Sequence, residues 1–197
     1  MSIKGIICGL GNPGPRYAMT RHNAGFMTID KIIEKAGNNP AENIRLKKQT
    51  DTYILWEWEF PNDYETWFLV KPLTFMNRSG RAISKILSGK NIDYDKLLII
   101  HDEVDIDLGK LRIKMAGGLA GHNGLRSISN DIGTRDFVRL RFGVGRPDDG
   151  SDLAQYVLTK FAPDELSLLE ETLDKAARAV NVFRKDGLEK TRDFLSA

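Results

Sequence analysis

The chain has 197 residues, of which 41% are hydrophobic and 28% charged, a composition typical of globular proteins and unlike that of disordered ones. The formal net charge of +2 creates no strong overall field, so local clusters of Arg and Lys matter more than the total. The single cysteine, Cys8, excludes an internal disulfide and is expected to be a small buried residue. No apolar run approaches the ~20 residues of a membrane-spanning helix. With no recognisable leader peptide at the start, a reducing cytoplasm is the simplest compartment.

The first strand, loop and helix contain the first candidate site residues. Residues 3–8 form an apolar run that predicts a buried strand, and the loop after it is rich in Gly and Pro and contains Asn12 and Tyr17. A helix is predicted over 23–36, which places His22 directly before its first turn. Polar groups at this point lie at the carboxyl edge of a sheet, where open α/β folds bind ligands.

The next segment predicts a loop and then a hairpin. Residues 38–50 are polar and indicate a loop. Strand-like runs over 52–60 and 66–70 flank residues 61–63, whose composition indicates the turn of a hairpin. We expect the tryptophans of the first run to pack on the sheet rather than to stack on bases.

A second strand and helix follow the same scheme as the first. A helix is predicted from about Phe75 to Ser88, with Met76 and Asn77 in its first turn. Residues 97–100 form the clearest buried strand of the chain, and they lead into an acidic cluster that contains Asp102. This cluster therefore also lies at the carboxyl end of a predicted strand.

The last third of the chain completes one α/β domain. Strands are predicted over 108–114 and 137–144, separated by a second glycine-rich loop at 116–124 and a short helix to about residue 132. A turn at 147–150 and a short helix over 151–158 follow. The last long helix begins near Pro163 and is broken at Gly187 before it reaches about residue 195. With no repeat or linker, residues 1–197 are expected to form a single domain.

Three neutral amides follow predicted strands in separate parts of the chain: Asn12, Asn77 and Asn123. A single Asn in a loop is usually a turn residue or a helix cap. Three of them at strand ends favour a site, because amide groups can hold a carbonyl or stabilise an oxyanion without adding charge.

His22 is the candidate general base, and Asp102 is the candidate partner that fixes its tautomer. The alternative is that His22 makes only a local hydrogen bond and that Asp102 only caps a turn. No serine or cysteine lies in a nucleophile motif, so water is the expected nucleophile.

A metal site is the competing chemistry. The three histidines and the acidic cluster after residue 100 could supply ligands, but no H-x-x-x-H, H-E-x-x-H or C-x-x-C spacing is present. Neither glycine-rich loop matches a nucleotide-binding motif. We therefore predict no metal and no cofactor.

Basic residues alternate along two predicted strands. Lys110, Arg112 and Lys114 share one strand face, and Arg139 and Arg141 share another. A charged strand face is most often only solvated, but these two faces adjoin the candidate site and favour a phosphate-bearing partner. Further basic residues in the last helices form a plausible second patch for a nucleic-acid backbone: Arg178, Arg184, Lys185, Lys190 and Arg192.

Taken together, the motifs closely resemble those of bacterial peptidyl-tRNA hydrolases. In chain order they are Gly9-Leu10-Gly11-Asn12-Pro13-Gly14, Thr20-Arg21-His22-Asn23-Ala24-Gly25, Phe75-Met76-Asn77, His101-Asp102-Glu103-Val104-Asp105 and Gly121-His122-Asn123-Gly124. The resemblance covers essentially the whole chain up to the final helices. It implies a mixed, mostly parallel twisted sheet between helices, a three-layer α/β/α arrangement. It also implies a metal-free, cytoplasmic esterase that releases the peptide from peptidyl-tRNA and recycles tRNA.

The resemblance also assigns roles to individual residues. His22 would activate water and Asp102 would orient it. Asn12 and Asn77 would hold the substrate, while Asn123 would bind the carbonyl, the adjacent peptide or the attacking water. Met76 would line the peptide groove, and Tyr17 is a further substrate-binding candidate.

On the RNA side, Lys114 and Arg141 match the family's basic residues near the tRNA 5′ phosphate, and Arg112 stands where a lysine is common. Lys110 and Arg139 are further candidates for tRNA binding. A monomer without membrane contact is expected. One departure from the family pattern lies in the loop before His122, which has less glycine than is usual, and it concerns substrate gating rather than the chemistry.

Two other functions remain open on the sequence alone. A non-catalytic RNA-binding module of the same fold would keep the basic face but could lose the base. A hydrolase of a small nucleotide ester would not need the second basic patch. The presence of His22, Asp102 and all three asparagines favours the esterase over the RNA-binding module, and the second basic patch favours it over the hydrolase of a small ester.

Overall fold

The computed structural model describes residues 2–60, 64–90, 92–147 and 150–197. A seven-stranded sheet in the order β2-β3-β4-β1-β5-β7-β6 forms its centre. The strands are β1 (Ser2–Gly9), β2 (Asn43–Gln49), β3 (Tyr53–Phe60), β4 (Glu65–Pro72), β5 (Leu97–Glu103), β6 (Leu111–Met115) and β7 (Val138–Gly143). The contiguous strands β4, β1, β5 and β7 are parallel, and antiparallel strands flank them on both sides. The predicted mixed sheet is confirmed.

Helices cover both faces of the sheet. They are α1 (Ala24–Gly37), α2 (Ser79–Leu87), α3 (Asn123–Ile132), α4 (Leu153–Tyr156) and α5 (Leu166–Ser196), and α5 is interrupted at Gly187 as the sequence predicts. Side chains alternate along the buried strands, so Ile7 of β1 packs with α1 and α5 whereas Ile6 and Cys8 pack with α2 and α3. Two apolar cores result, one on each face, and Cys8 is fully buried as expected.

Two predictions of secondary structure are wrong, one a missed strand and the other the start of a strand. The polar segment 38–50 contains the edge strand β2, which pairs antiparallel with β3. Of its side chains, Ile44 and Leu46 alone are apolar and nearly all are exposed, so the hydrophobic alternation is too short to predict a strand. Strand β6 begins at Leu111 rather than at residue 108, which leaves Lys110 outside it. The hairpin partners β3 and β4 are confirmed, but the turn predicted at 61–63 and the centre of the turn predicted at 147–150 lie outside the described residues.

The topology creates a crevice between the carboxyl ends of β1 and β4. Strand β1 leads into α1 on one face, whereas β4 leads into α2 on the other face. Adjacent parallel strands whose connections leave in opposite directions open such a crevice, which is where α/β folds bind ligands. The loop that contains Asn12 and the turn that contains Met76 therefore face each other.

Glycine permits the close approach of β1 to the start of α1. A Cβ atom at Gly25 would lie 2.4 Å from the carbonyl oxygen of Ile100 and 2.4 Å from the backbone nitrogen of Leu10. A Cβ atom at Gly9 would lie 2.2 Å from the carbonyl oxygen of Gly25. Only hydrogen fits at both positions, and the contact fixes His22, which precedes α1, relative to the sheet.

Among the described residues, no helix has both the length and the apolar character needed to cross a bilayer.

Candidate active site

His22 and Asp102 meet at the carboxyl edge of the sheet. Nδ1 of His22 lies 2.9 Å and 3.0 Å from the two carboxylate oxygens of Asp102, which is buried at the end of β5. His22 lies in the 3-10 turn Arg21–Asn23, and its backbone N–H donates to the carbonyl of Val157 at 2.8 Å. The contact predicted between the two side chains is present.

A second imidazole binds the same carboxylate. Nε2 of His122 lies 2.9 Å from Oδ1 of Asp102, and the rings of His22 and His122 are 5.1 Å apart. His122 is also the N-cap of α3, because its Nδ1 accepts hydrogen bonds from the backbone N–H groups of Gly124 and Leu125 at 3.1 Å and 3.4 Å. From the sequence, His122 was a candidate only for metal binding, so this arrangement was not predicted.

These contacts determine where the protons of the two imidazoles lie. Backbone N–H groups only donate, so Nδ1 of His122 carries a lone pair and Nε2 donates its proton to Asp102. A carboxylate only accepts, so Nδ1 of His22 also donates, and in the neutral imidazole the lone pair is then on Nε2. His22 lines the pocket, and a neutral imidazole with a free Nε2 can accept a proton from water.

The charge state of Asp102 follows from its neighbours. Burial alone would raise the pKa of this carboxyl, but the adjacent His22 and His122 outweigh burial and hold the pKa well below its usual range. Asp102 is therefore an anion at neutral pH, and it can stabilise the imidazolium that forms when His22 takes up a proton.

The same three residues are the strongest candidates for a metal site. Potential ligand atoms of His22, Asp102 and His122 lie within 4.8 Å of one another. To bind a metal through Nε2, neutral His122 would have to move its proton to Nδ1, where two backbone N–H groups already point. The helix cap therefore opposes metal binding at His122.

Asn12 presents a donor to the pocket. Its Oδ1 accepts the backbone N–H of Met76 at 2.8 Å, which identifies the other end of the amide as Nδ2. Asn23 holds the Asn12 backbone from both sides, since its Oδ1 accepts from Asn12 N at 2.8 Å and its Nδ2 donates to Asn12 O at 3.0 Å. Nδ2 of Asn12 is thus left for an acceptor such as a carbonyl oxygen.

A cavity of about 560 Å³ contains most of the predicted substrate-binding residues. It is lined by Asn12, His22, Met76, Asn77, Asp102 and Asn123. Asn123 accepts a hydrogen bond from Arg126 through Oδ1, so its amide donor is free to face the cavity. Tyr17 does not line the cavity but packs edge-on against Phe75, with ring centroids 6.2 Å apart, and Phe75 does line it. No described residue that lines the cavity is a serine, threonine or cysteine, in agreement with water as the nucleophile.

His101 is a buried neutral histidine beside this site. Its Nδ1 donates to the carbonyl of Asp102 at 2.7 Å, and its ring lies 4.9 Å from that of His122. Burial, reinforced by His122, lowers the pKa of His101 to about 3. The side chain is uncharged throughout the physiological range.

His101 should make the folded state less stable in mild acid. An unfolded histidine binds a proton below pH ~6.5, whereas folded His101 stays neutral down to about 3, so stability falls between these values. At ~1.4 kcal/mol per pH unit, this residue alone should lower the free energy of unfolding by about 2 kcal/mol from about pH 7.5 to about pH 5. Urea denaturation at both values measures the difference. His101→Asn keeps a donor to the carbonyl of Asp102, and an unchanged pH dependence in that variant would contradict the assignment.

Basic side chains on β6 and β7 face one another beside the site. Arg112 is paired across the strands with Arg141, and Lys114 with Arg139. Like charges directly opposite each other destabilise a sheet. Burial and the charges of Arg141 and Arg139 lower the pKa of Lys114. Glu103 offsets part of this charge through a 3.0 Å contact with Arg141, and Asp107 interacts with Arg112, so an anion bound here would relieve the repulsion that is left.

Two of the predicted tRNA-binding residues, Arg139 and Lys110, do not lie on an exposed strand face as predicted. Arg139 is fully buried rather than exposed on the strand face, and its guanidinium donates to the carbonyls of Gly117, Gly118 and Arg135. Its position organises the glycine-rich loop, which explains why a charged residue alternates with apolar ones in β7. Lys110 is exposed but lies before β6 and forms an ion pair with Asp107 at 2.7 Å. Arg112, Lys114 and Arg141 remain together on β6 and β7, where Arg141 contacts Glu103, a residue that lines the cavity.

The geometry defines a class of protein, a hydrolase that pairs a His-Asp base with neutral amide donors on an α/β sheet and uses water as the nucleophile. The family model described as Peptidyl-tRNA hydrolase matches residues 6–196. The chain therefore belongs to the peptidyl-tRNA hydrolase family.

Individual relatives agree with this assignment. The chain is 41% identical over its whole length to the peptidyl-tRNA hydrolase of Oleidesulfovibrio alaskensis, with 98% of that protein covered. It is 44% identical to that of Solidesulfovibrio magneticus over 96% of this chain and 91% of the relative. The crystal structure of the Acinetobacter baumannii peptidyl-tRNA hydrolase matches with a TM-score of 0.86 at 34% identity, covering 98% of this chain and 95% of the other.

Proposed function

We infer that this protein hydrolyses the ester bond between a peptide and tRNA. The observation that carries the inference is the His22–Asp102 pair in a cavity with amide donors, in a chain that matches the family over residues 6–196. The substrate is peptidyl-tRNA, and the products are the free peptide and tRNA.

The residues have separate roles in the proposed reaction. Nε2 of His22 takes a proton from water as the water oxygen attacks the ester carbonyl, and Asp102 stabilises the imidazolium. Nδ2 of Asn12 donates to the substrate near the ester, and the amide of Asn123 donates to the oxyanion of the tetrahedral intermediate. The imidazolium then returns the proton to the ribose oxygen as the ester C–O bond breaks.

The two halves of the substrate meet different parts of the site. Asn77 and Met76 line the cavity next to apolar side chains, and this mixed surface suits the peptide. Strands β6 and β7 contribute three neighbouring cations, Lys114, Arg141 and Arg112, and these positive charges suit a phosphate of the tRNA. Tyr17 supports the cavity edge through Phe75.

Lys114→Gln tests the RNA side. Removing one of three neighbouring cations should raise the KM for N-acetyl-aminoacyl-tRNA roughly 5- to 10-fold and leave kcat nearly unchanged, because the charge binds the ground state and the transition state equally. The slope of log KM against log salt should fall by about 0.7–0.9. Steady-state kinetics at several salt concentrations measure both quantities.

Two comparisons make this test specific. An N-acetyl-aminoacyl-CCA fragment without the 5′ phosphate should be hydrolysed equally by Lys114→Gln and by the native protein. Lys85→Gln, on the exposed side of α2, should behave as native on both substrates. A Lys114→Gln variant with native KM on full tRNA would contradict the phosphate role.

The function itself is tested by release of N-acetyl-aminoacyl groups from tRNA in the presence of EDTA. We expect hydrolysis that EDTA does not reduce, because the helix cap on His122 opposes metal binding. Binding of tRNA without hydrolysis would instead support the RNA-binding module, which the assembled base and its partners do not favour. Loss of activity with EDTA would show that the mechanism requires a metal.

The proposal also covers the domain organisation, the oligomeric state and the compartment of the protein. Helix α5 packs into the same core as α1, which supports a single domain over residues 1–197. A monomer that works in the cytoplasm is proposed from the family and from the sequence. Light scattering of the purified protein at micromolar concentration checks the monomer.

A further inference from the structure

Arg21, next to the catalytic base, is a buried charged residue that the proposed reaction does not use. We propose that Arg21, with Glu165, is a positioning residue that fixes one wall of the cavity, residues 153–158, relative to His22 and so sets the preference for peptidyl over aminoacyl esters. This inference rests on the proposed function and deepens it.

The guanidinium of Arg21 is held on several sides. The residue is 7% exposed. Nη2 donates to both carboxylate oxygens of Glu165 at 2.8 Å, and Nη1 donates to the carbonyl of Lys160 at 2.9 Å. Its central carbon lies 4.6 Å from the ring centroid of Tyr156 and 4.9 Å from that of Phe161. Arg21 therefore binds the chain directly before and after residues 157–160.

The backbone connects the same two segments. Arg21 N–H donates to Thr159 O at 3.0 Å and His22 N–H donates to Val157 O at 2.8 Å, while Thr20 forms an antiparallel bridge with Lys160. Val157 directly follows α4, so the residue that carries the base is bonded to the end of the wall.

Tyr156 anchors the other side of this wall. Its hydroxyl donates to the carbonyl of Val144, just beyond β7, at 3.0 Å, while the guanidinium of Arg21 covers its ring. Helix α4 has only four residues and contributes no buried residue, so it cannot hold its own position. Apart from the backbone bonds of Arg21 and His22, the position of α4 depends on the side-chain contacts of Arg21 and Tyr156.

The wall is apolar where it meets the cavity. Leu153, Ala154, Val157 and Leu158 line it. The α-nitrogen of an aminoacyl ester is a charged ammonium, whereas in a peptidyl ester it is an uncharged amide. In this proposal the α-nitrogen lies against the wall. Although Asp102, Glu103 and Asp152 also line the cavity, the apolar side chains of the wall disfavour the ammonium there, because burying an unpaired charge costs far more than burying an amide. A displaced wall admits water and loses this discrimination.

The arrangement is not explained by stability alone. A buried ion pair contributes little net stability compared with apolar residues of similar volume. The Nε of Arg21 also has no hydrogen-bond partner among the described residues. A planar cation that binds a carboxylate, a carbonyl and two rings at once is suited to fixing geometry.

The experiment compares kcat/KM for N-acetyl-phenylalanyl-tRNA, as the N-blocked ester, with kcat/KM for phenylalanyl-tRNA, as the free aminoacyl ester, so that only the α-nitrogen differs. We expect Arg21→Met to reduce the ratio of the two values about 10-fold or more, through a higher KM for the blocked ester and faster hydrolysis of the free ester. The pH profile of kcat should stay native, because the base and Asp102 are untouched.

Arg21→Lys, which keeps the charge but not the planar guanidinium, should give an intermediate ratio. Tyr156→Leu removes the covered ring without leaving a charge unpaired and should change the ratio in the same direction, and it carries the test if Arg21→Met does not fold.

Arg184 provides a matched control. Its side chain is as buried as that of Arg21, so Arg184 does not belong to the basic patch predicted on the last helices. It pairs with Glu65 at 3.4 Å and covers the ring of Phe60, far from the cavity. Arg184→Met should lower thermal stability and leave the ratio native. If Arg21→Met and Tyr156→Leu slow both substrates by the same factor, or if Arg184→Met changes the ratio as much, the positioning role is wrong. Absence of hydrolysis by the native protein would overturn the proposed function itself.

Discussion

Replacing His22 with Ala is expected to reduce kcat for N-acetyl-aminoacyl-tRNA several hundred-fold or more, within the 10²–10⁴-fold range of general-base catalysis. The imidazole lines the cavity, and in its neutral form the lone pair lies on Nε2, because Nδ1 is committed to Asp102. The KM should change little, since the residues proposed to bind the peptide and the phosphate lie elsewhere. Single-turnover kinetics with excess enzyme separate the chemical step from binding.

Asp102→Asn determines whether the two residues act as a unit. An Asn at 102 can donate to Nδ1 of His22 and so move the imidazole proton to Nε2, which removes the base. We expect a loss comparable with that of His22→Ala, and no further loss in the double variant, because residues that act together are not additive. Multiplied losses in the double variant would mean that Asp102 acts independently of His22.

Asn12→Asp is expected to reduce kcat about 10²- to 10³-fold, the usual effect of removing one preorganised donor. One carboxylate oxygen can still accept the N–H of Met76, so the loop is retained. The other oxygen replaces the Nδ2 donor, and it repels the negative charge that develops on the substrate. The rate of ester hydrolysis and the thermal unfolding midpoint, measured together, separate catalysis from folding.

Asn130→Asp is the matched control for this charge change. It introduces the same carboxylate on the exposed side of α3, away from the cavity, and should leave the rate within about 2-fold of native. An Asn12→Asp variant with a normal rate would show that Asn12 supports the loop but does not contact the reacting group.

Much of the fold was predictable because buried parallel strands have a strong local signal. Residues 97–100 are apolar on both faces since helices cover both sides of the sheet, and the glycines around Asn12 mark the end of β1. The pairing of His22 with Asp102 followed from their positions after strands and from the motifs. The rule that parallel strands end at one edge was enough to bring the two together.

The features that the sequence did not predict depend on contacts between distant segments. Strand β2 is defined by its pairing with β3 and not by apolar residues. Arg139 alternates like an exposed residue but is buried by a loop that folds back over it. The double role of His122 requires both a helix cap and a carboxylate 20 residues away in sequence. A histidine at a helix N-cap is uncommon, so no local pattern indicates it.

The close approach of Gly9 and Gly25 limits which substitutions the chain can accept. The nearest atoms at both positions belong to backbone, which cannot rotate away as a side chain would. In a saturation-mutagenesis library scored for abundance and for activity, Gly25 should fail in both screens, whereas His22 should fail only for activity. Gly37, where a Cβ meets nothing within 4 Å, should accept most residues. A glycine that accepts no substitution, although it has no functional group, would therefore identify a place where the backbone itself positions His22.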